Sequence, residues 1–121
     1  MLTEAQIRRY GRHVLLPELG GRGQARVCAG TACIRGEGLA AETALLYLVA
    51  AGVGRVAVPG TMRAAGVAHA RRIDPSCAIG SDEIAGAVDV SVSAHESPAE
   101  AVAEGGRAAL RAVWALAGTA P

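Results

Sequence analysis

A chain of 121 residues that is 51% hydrophobic can bury one real core, but with aromatics at 2% and no Phe that core must be assembled from Ala, Val, Leu and Ile. Its 12 basic residues, all arginine, nearly balance 11 acidic ones for a formal charge of +1, and no basic stripe interleaved with aromatics appears, which excludes the usual signature of nucleic-acid binding. Cys28, Cys33 and Cys77 form no C-x-x-C pair, which excludes a disulfide framework and a zinc knuckle.

Thr3 is placed as an N-cap, with Glu4 in the first turn of a short helix reaching about Tyr10. Met1 to Glu4 carry no signal-peptide pattern, and the longest apolar run, Ala44 to Val53, falls short of the roughly 20 residues a bilayer span needs. A cytoplasmic protein without membrane contact is the expectation. Pro17 disfavours helix at Leu16, so residues 15–18 read as extended. Gly20 to Gly23 read as a turn, followed by a brief helix near Gln24 to Ala29. Ala32-Cys33-Ile34 is a short apolar strand that ends in a glycine-rich turn. Leu39 to Ala51 then reads as a helix apolar on nearly every side, as a helix covering a sheet must be, with Gly52 at the C′ position.

Val56-Ala57-Val58 is the next strand, stopped by Pro59-Gly60. Ala64 to Arg72 has helical character that Gly66 interrupts and Asp74-Pro75 terminates. Val88 to Val92 alternates apolar and polar residues, the mark of a strand with one wetter face. Ser97-Pro98-Ala99-Glu100 is a capping box with proline at N1; it opens a helix to about Ala117, closed by Gly118. On that helix Glu100, Glu104, Arg107 and Arg111 form a polar stripe, and Val102, Leu110, Val113, Trp114 and Ala117 are expected to face inward.

Strands alternating with helices imply right-handed crossovers and a parallel sheet. The expected fold is α/β, a small Rossmann-like three-layer half with a mostly parallel sheet of three or four strands flanked by helices. One domain spans the chain: a helical opening segment at 1–30, a βαβ core at 31–60, a shortened irregular region at 61–87, and a strand with the C-terminal helix at 88–121.

The segment Arg35 to Ala41 reads G-x-G-x-x-A at Gly36, Gly38 and Ala41. In a strand–turn–helix setting the first glycine permits the tight turn, the second lets backbone approach a phosphate, and the small third residue lets helix pack on strand. Phosphate would sit on the open N–H groups at the helix start. Glu37 opposes such binding and Arg35 supports it. The alternative role of the same turn is packing alone.

Arg9-Tyr10-Gly11-Arg12-His13-Val14-Leu15-Leu16-Pro17-Glu18 and Gly20-Gly21-Arg22-Gly23-Gln24, followed in register by Gly36-Glu37-Gly38 and by Tyr47 to Gly54, closely resemble the ThiF/MoeB/HesA family, prokaryotic relatives of ubiquitin-activating enzymes. The resemblance implies a Rossmann-type ATP-binding fold. It also implies ATP-dependent adenylation of the C-terminal glycine of a ubiquitin-like or sulfur-carrier protein, within a homo- or heterodimer. Gly36, Gly38 and Ala41 would then hold ATP, and Arg12 matches an arginine that reaches the partner subunit's ATP phosphates.

Several family features are replaced. Pro59-Gly60-Thr61-Met62 stands where the family's acidic cluster for ribose and magnesium lies, and no lysine exists to meet phosphate. Leu39 takes a glycine's place in the turn. The family's Asp-Asn pair corresponds to Glu96-Ser97, leaving Glu96 as the one candidate magnesium ligand, and then only with ATP. Adenylyl transfer depends on positioning and on neutralising phosphate charge. The expected role is therefore a degenerate member that lacks autonomous adenylation and acts as a non-catalytic partner or carrier-binding subunit. The alternatives are a nucleotide-binding module without turnover and a small active adenylyltransferase with a rebuilt metal site. His13, His69 and His95 share no metal-ligand spacing.

Overall fold

The structure, a computed structural model, describes residues 20–118. The expected helix at 3–10, the extended segment at 15–18 and Arg12 lie outside the described residues. The described elements run α1 (Gly20–Ala29), β1 (Thr31–Arg35), α2 (Gly38–Ala50), β2 (Arg55–Ala57), α3 (Ala64–Ile73), β3 (Ala78–Gly80), β4 (Val88–Ser91) and α4 (Pro98–Ala117).

The four strands form one parallel sheet in the order β3-β2-β1-β4, so the α/β class is as read and the strand number is four. Ala32 on central β1 faces Val56 on one side and Val88 on the other. Period-two alternation sends Ala32, Ile34, Val56 and Val90 into the core beneath the helices. There they meet Leu45, Leu48 and Val49 of α2, all fully buried. Each such side chain contributes about 1.5–3 kcal/mol relative to exposure.

The helices pack side by side, α3 on α2, α2 on α4, and α4 on α1. The link from β3 to β4, residues 81–87, crosses the opposite face of the sheet, where Glu83 meets Arg35 of β1 at 2.9 Å.

Helix termini follow their sequence signals. Ser97 caps α4 by accepting the N–H of Glu100, Pro98 occupies N1, and Gly118 takes a left-handed C-cap. Gly52, with φ of +95°, follows α2 and donates to Val49. Two side chains of α1 tie other helix ends: Gln24 Nε2 donates to Ala51 O at 2.9 Å, and Arg26 Nη1 donates to Ala117 O at 3.1 Å. The second places a cation where the dipole of α4 favours it.

Four expectations need correction. Gly20 to Gly23 belong to α1 rather than to a preceding turn. Residues 61–87 are not largely irregular, because α3 and β3 lie within them. Gly66 does not break α3: it is buried where the Glu42 side chain crosses the helix, and a Cβ would stand 2.7 Å from that carboxylate. Val102 and Leu110 face outward, at 40% and 55% exposure, and α4 instead buries Ala101, Gly105, Ala108, Ala109 and Ala112. Gly105 sits directly on the Ala40 carbonyl, so α4 approaches α2 too closely for branched side chains on that face.

Candidate functional site around the glycine turn

The β1–α2 turn stands at the carboxyl end of the sheet, where doubly wound α/β folds place their ligands. Gly36 has φ of +129° and Gly38 φ of +79°, both in the region that favours glycine. They serve different ends. A side chain on Gly36 would run into the carbonyl of Val92, just past β4, so this glycine allows the two neighbouring strand ends to close on each other. Gly38 has open space in front of it, and helix α2 begins there. The N-cap residue Glu37 is extended and makes no side-chain capping bond to the first turn. Amide N–H groups at a helix start are intrinsic anion donors. Ala41 is 1% exposed and packs inward, filling the role of the small third residue.

A cavity of about 240 Å³ opens on this turn, bounded by Gly38, Ala41 and Glu42 from one side and by Thr61, Met62 and Arg63 from the other. A second, of about 250 Å³, lies beyond Gly36 between Cys33, Ala57, Pro59 and Glu83. Each is below the roughly 300–1,000 Å³ of a complete small-molecule site.

Charge is arranged differently from the sequence-based expectation. Arg35 does not line the first cavity; it borders the second, where it pairs with Glu83 at 2.9 Å and Asp89 at 3.1 Å. The cation at the turn is Arg63, the N-cap residue of α3. Its guanidinium grips Glu42 through Nη2–Oε1 at 2.8 Å and Nε–Oε2 at 2.9 Å. This two-point contact holds the Glu42 carboxyl below its ordinary range. The sequence held one clue to Arg63: it is the first charge after Pro59-Gly60-Thr61-Met62, in the crossover that follows β2.

Glu96 is exposed on the β4–α4 connection and does not line the cavity. Nearby, Glu104 of α4 accepts the backbone N–H of Ser93 and bonds His95 Nε2 at 2.7 Å, tying this loop to the helix. Those contacts, the Ser93 N–H foremost, lower the Glu104 carboxyl below its ordinary value. Among the described residues, no three of His, Cys, Asp and Glu group so as to hold a metal. Burial raises the Cys77 thiol to about 11 and also raises that of Cys28. No helix among the described residues is long and apolar enough to cross a membrane.

Comparison with known proteins places this turn in context. Over 55 residues, 46% of this chain, the sequence is 42% identical to "Protein HesA, heterocyst" of Trichormus variabilis. Over that stretch the chain is ThiF/MoeB-like. A "Sulfur carrier protein adenylyltransferase" of Thermus thermophilus is 43% identical over 56 residues. Each match spans 21% of the relative's own length, so the likeness is partial. No protein-family model matches the chain. The solved structure of TcdA (CsdL) superposes with a TM-score of 0.60 over 84% of this chain and 54% of that one, at 18% identity, which is a likeness of fold.

Proposed function

We propose that this chain is a ThiF/MoeB-type unit that binds the phosphate end of a nucleotide at its glycine turn, does not itself adenylate, and serves as a non-catalytic partner of an adenylating subunit or its carrier protein. The observation that carries the reading is the charge inventory of the cavity at Gly38. Open amides and a close-approach glycine suit a phosphate, but the cation that lines the cavity among the described residues, Arg63, is already matched by Glu42. A site that transfers an adenylyl group must neutralise charge developing on a triphosphate, and losing one such donor elsewhere costs about 3–4 kcal/mol.

Phosphate fits the turn. Magnesium is served less well: Glu42 is committed to Arg63, and Glu96 stands apart from the cavity. The proposed role is therefore to bind and to present. ATP is the natural ligand class, given that one of the two relatives is named an adenylyltransferase. Arg12, outside the described residues, is the cation such a unit would extend into a partner's site.

Partnership is supported by an apolar surface. Leu39 and Tyr47 lie eight residues apart on α2, and Val102 and Leu110 flank Gly106 on α4; all four are exposed. Gly106 brings the stripes together, since a Cβ there would be 3.5 Å from the Tyr47 ring. Exposed apolar residues on two helices that meet at Tyr47 and Gly106 suit a protein partner.

ATP–pyrophosphate exchange tests the reading. The isolated chain, supplied with ATP, magnesium and a sulfur-carrier protein, should show no exchange above a blank, while ATP alone raises its melting temperature. Robust exchange by the isolated chain overturns it.

A further inference from the structure

Glu37, Glu42 and Arg63 line the cavity at Gly38; Glu42 and Arg63 form an ion pair there, and its geometry has a consequence for any anion that enters. The carboxylate is the fixed member. Its side chain is 13% exposed, it lies across α3 at Gly66, and a Cβ on Gly66 would overlap it. The guanidinium is the free-ended member, 73% exposed on a flexible stem. The planar fork of arginine matches a phosphate as well as it matches a carboxylate, through the same two parallel N–H donors.

We infer that Glu42 is a built-in competitor for the anion site: it occupies Arg63 in the empty protein, and a polyphosphate must draw that arginine away to be held at the Gly38 turn. The inference rests on the reading of the turn as a phosphate site and adds its regulation. Taking Arg63 leaves Glu42 shielded from water and facing the incoming charge. The exchange is therefore favourable only for a ligand with more than one negative charge, such as a diphosphate or triphosphate. A monoanion gains one arginine and meets one uncompensated carboxylate.

The test is calorimetric titration of the full chain with sodium pyrophosphate and with ATP, for wild type, Glu42→Gln, Arg63→Gln and the double variant. Arg63 is exposed and Glu42→Gln keeps the side chain's shape, so circular dichroism should show all four folded. Releasing Arg63 from its carboxylate partner should tighten pyrophosphate binding by about fivefold in Glu42→Gln, the upper end for an ion pair whose arginine is exposed. Added salt should shrink the gain. Arg63→Gln should weaken binding, and in that background the Glu42 change should bring a clearly smaller gain, because only the carboxylate's direct repulsion is left once there is no arginine to compete for.

Wild-type binding that Glu42→Gln leaves unchanged overturns this inference and leaves the phosphate site standing. A gain of the same size in the Arg63→Gln background also overturns it, since Glu42 would then act only as a repelling charge. Absence of binding by both wild type and Glu42→Gln overturns the phosphate site and this inference together.

Discussion

Gly105 of α4 rests on the backbone of α2 at Ala40, with Thr43 Cβ only 2.8 Å from where a Cβ would be. The two longest described helices touch here, and this contact sets how closely the helical layer packs over β1 and β4. Gly105→Ala should destabilise the fold by roughly 1–3 kcal/mol through overpacking, against a helix-propensity gain of up to ~1 kcal/mol. The neighbouring Gly106 has only ordinary contacts with Tyr47, so Gly106→Ala should be neutral or stabilising. Urea midpoints of the two variants check this; equal midpoints would contradict it.

Gly36 carries a double constraint, a φ of +129° and the Val92 carbonyl where a side chain would go. Gly36→Ala should therefore cost roughly 2–4 kcal/mol and loosen the β1–α2 turn. Thermal unfolding with hydrogen exchange at Arg35 to Leu39 measures both effects. A variant as stable as wild type would show that the strand ends do not close on each other there.

Acid should weaken the protein through two carboxylates. Glu42, held low by Arg63, and Glu104, held low first by the Ser93 N–H and then by His95, both sit below their ordinary value of 4.5 in the folded chain. Their contribution is fully present above that value and is lost as pH falls through the lower folded values. Melting temperature should be level from about pH 7 to 5.5 and decline below 4.5, and Glu42→Gln should flatten part of the decline. A decline unchanged in Glu42→Gln would remove that pair from the account.

Cys77 is 5% exposed, with its thiol raised to about 11 by burial and by Asp74. At pH 8 almost none of it is thiolate, so iodoacetamide should label it slowly in the native protein and quickly in guanidinium. Half-exposed Cys28 should label first, though slowly for a thiol because its own value is also raised. Native Cys77 labelling at the unfolded rate would contradict the burial.

The parts of the fold readable from sequence were those with local causes. Pro98 and Ser97 fix the start of α4, Gly118 fixes its end, and alternation in Val88 to Ser91 gives β4 its buried Val90 and wet Asp89. What escaped depends on distant residues. Strand β3 is three residues long with little pattern of its own, and its structure comes from pairing with β2, through Ala78 N to Gly54 O at 3.0 Å and Val58 N to Gly80 O at 2.8 Å. Gly66 looks like a breaker until Glu42 is seen lying across it. The inward face of α4 was misjudged because close helix contact selects Ala and Gly over Val102 and Leu110. Gly36, Gly38 and Ala41 were legible from spacing as the turn that joins β1 to α2. Arg63 was not, since only the crossover geometry brings it to the Gly38 side of the turn, while Arg35 borders the cavity beyond Gly36.

Calorimetric titration with ATP and magnesium, comparing wild type with Gly38→Asp, tests the central claim most directly. Gly38 has room for a side chain and a φ of +79° that aspartate tolerates better than most residues, so the variant should fold with a carboxylate inside the cradle. Wild type should release heat in a saturable titration that Gly38→Asp abolishes. A silent wild type, or equal binding by both proteins, would contradict a phosphate site at this turn.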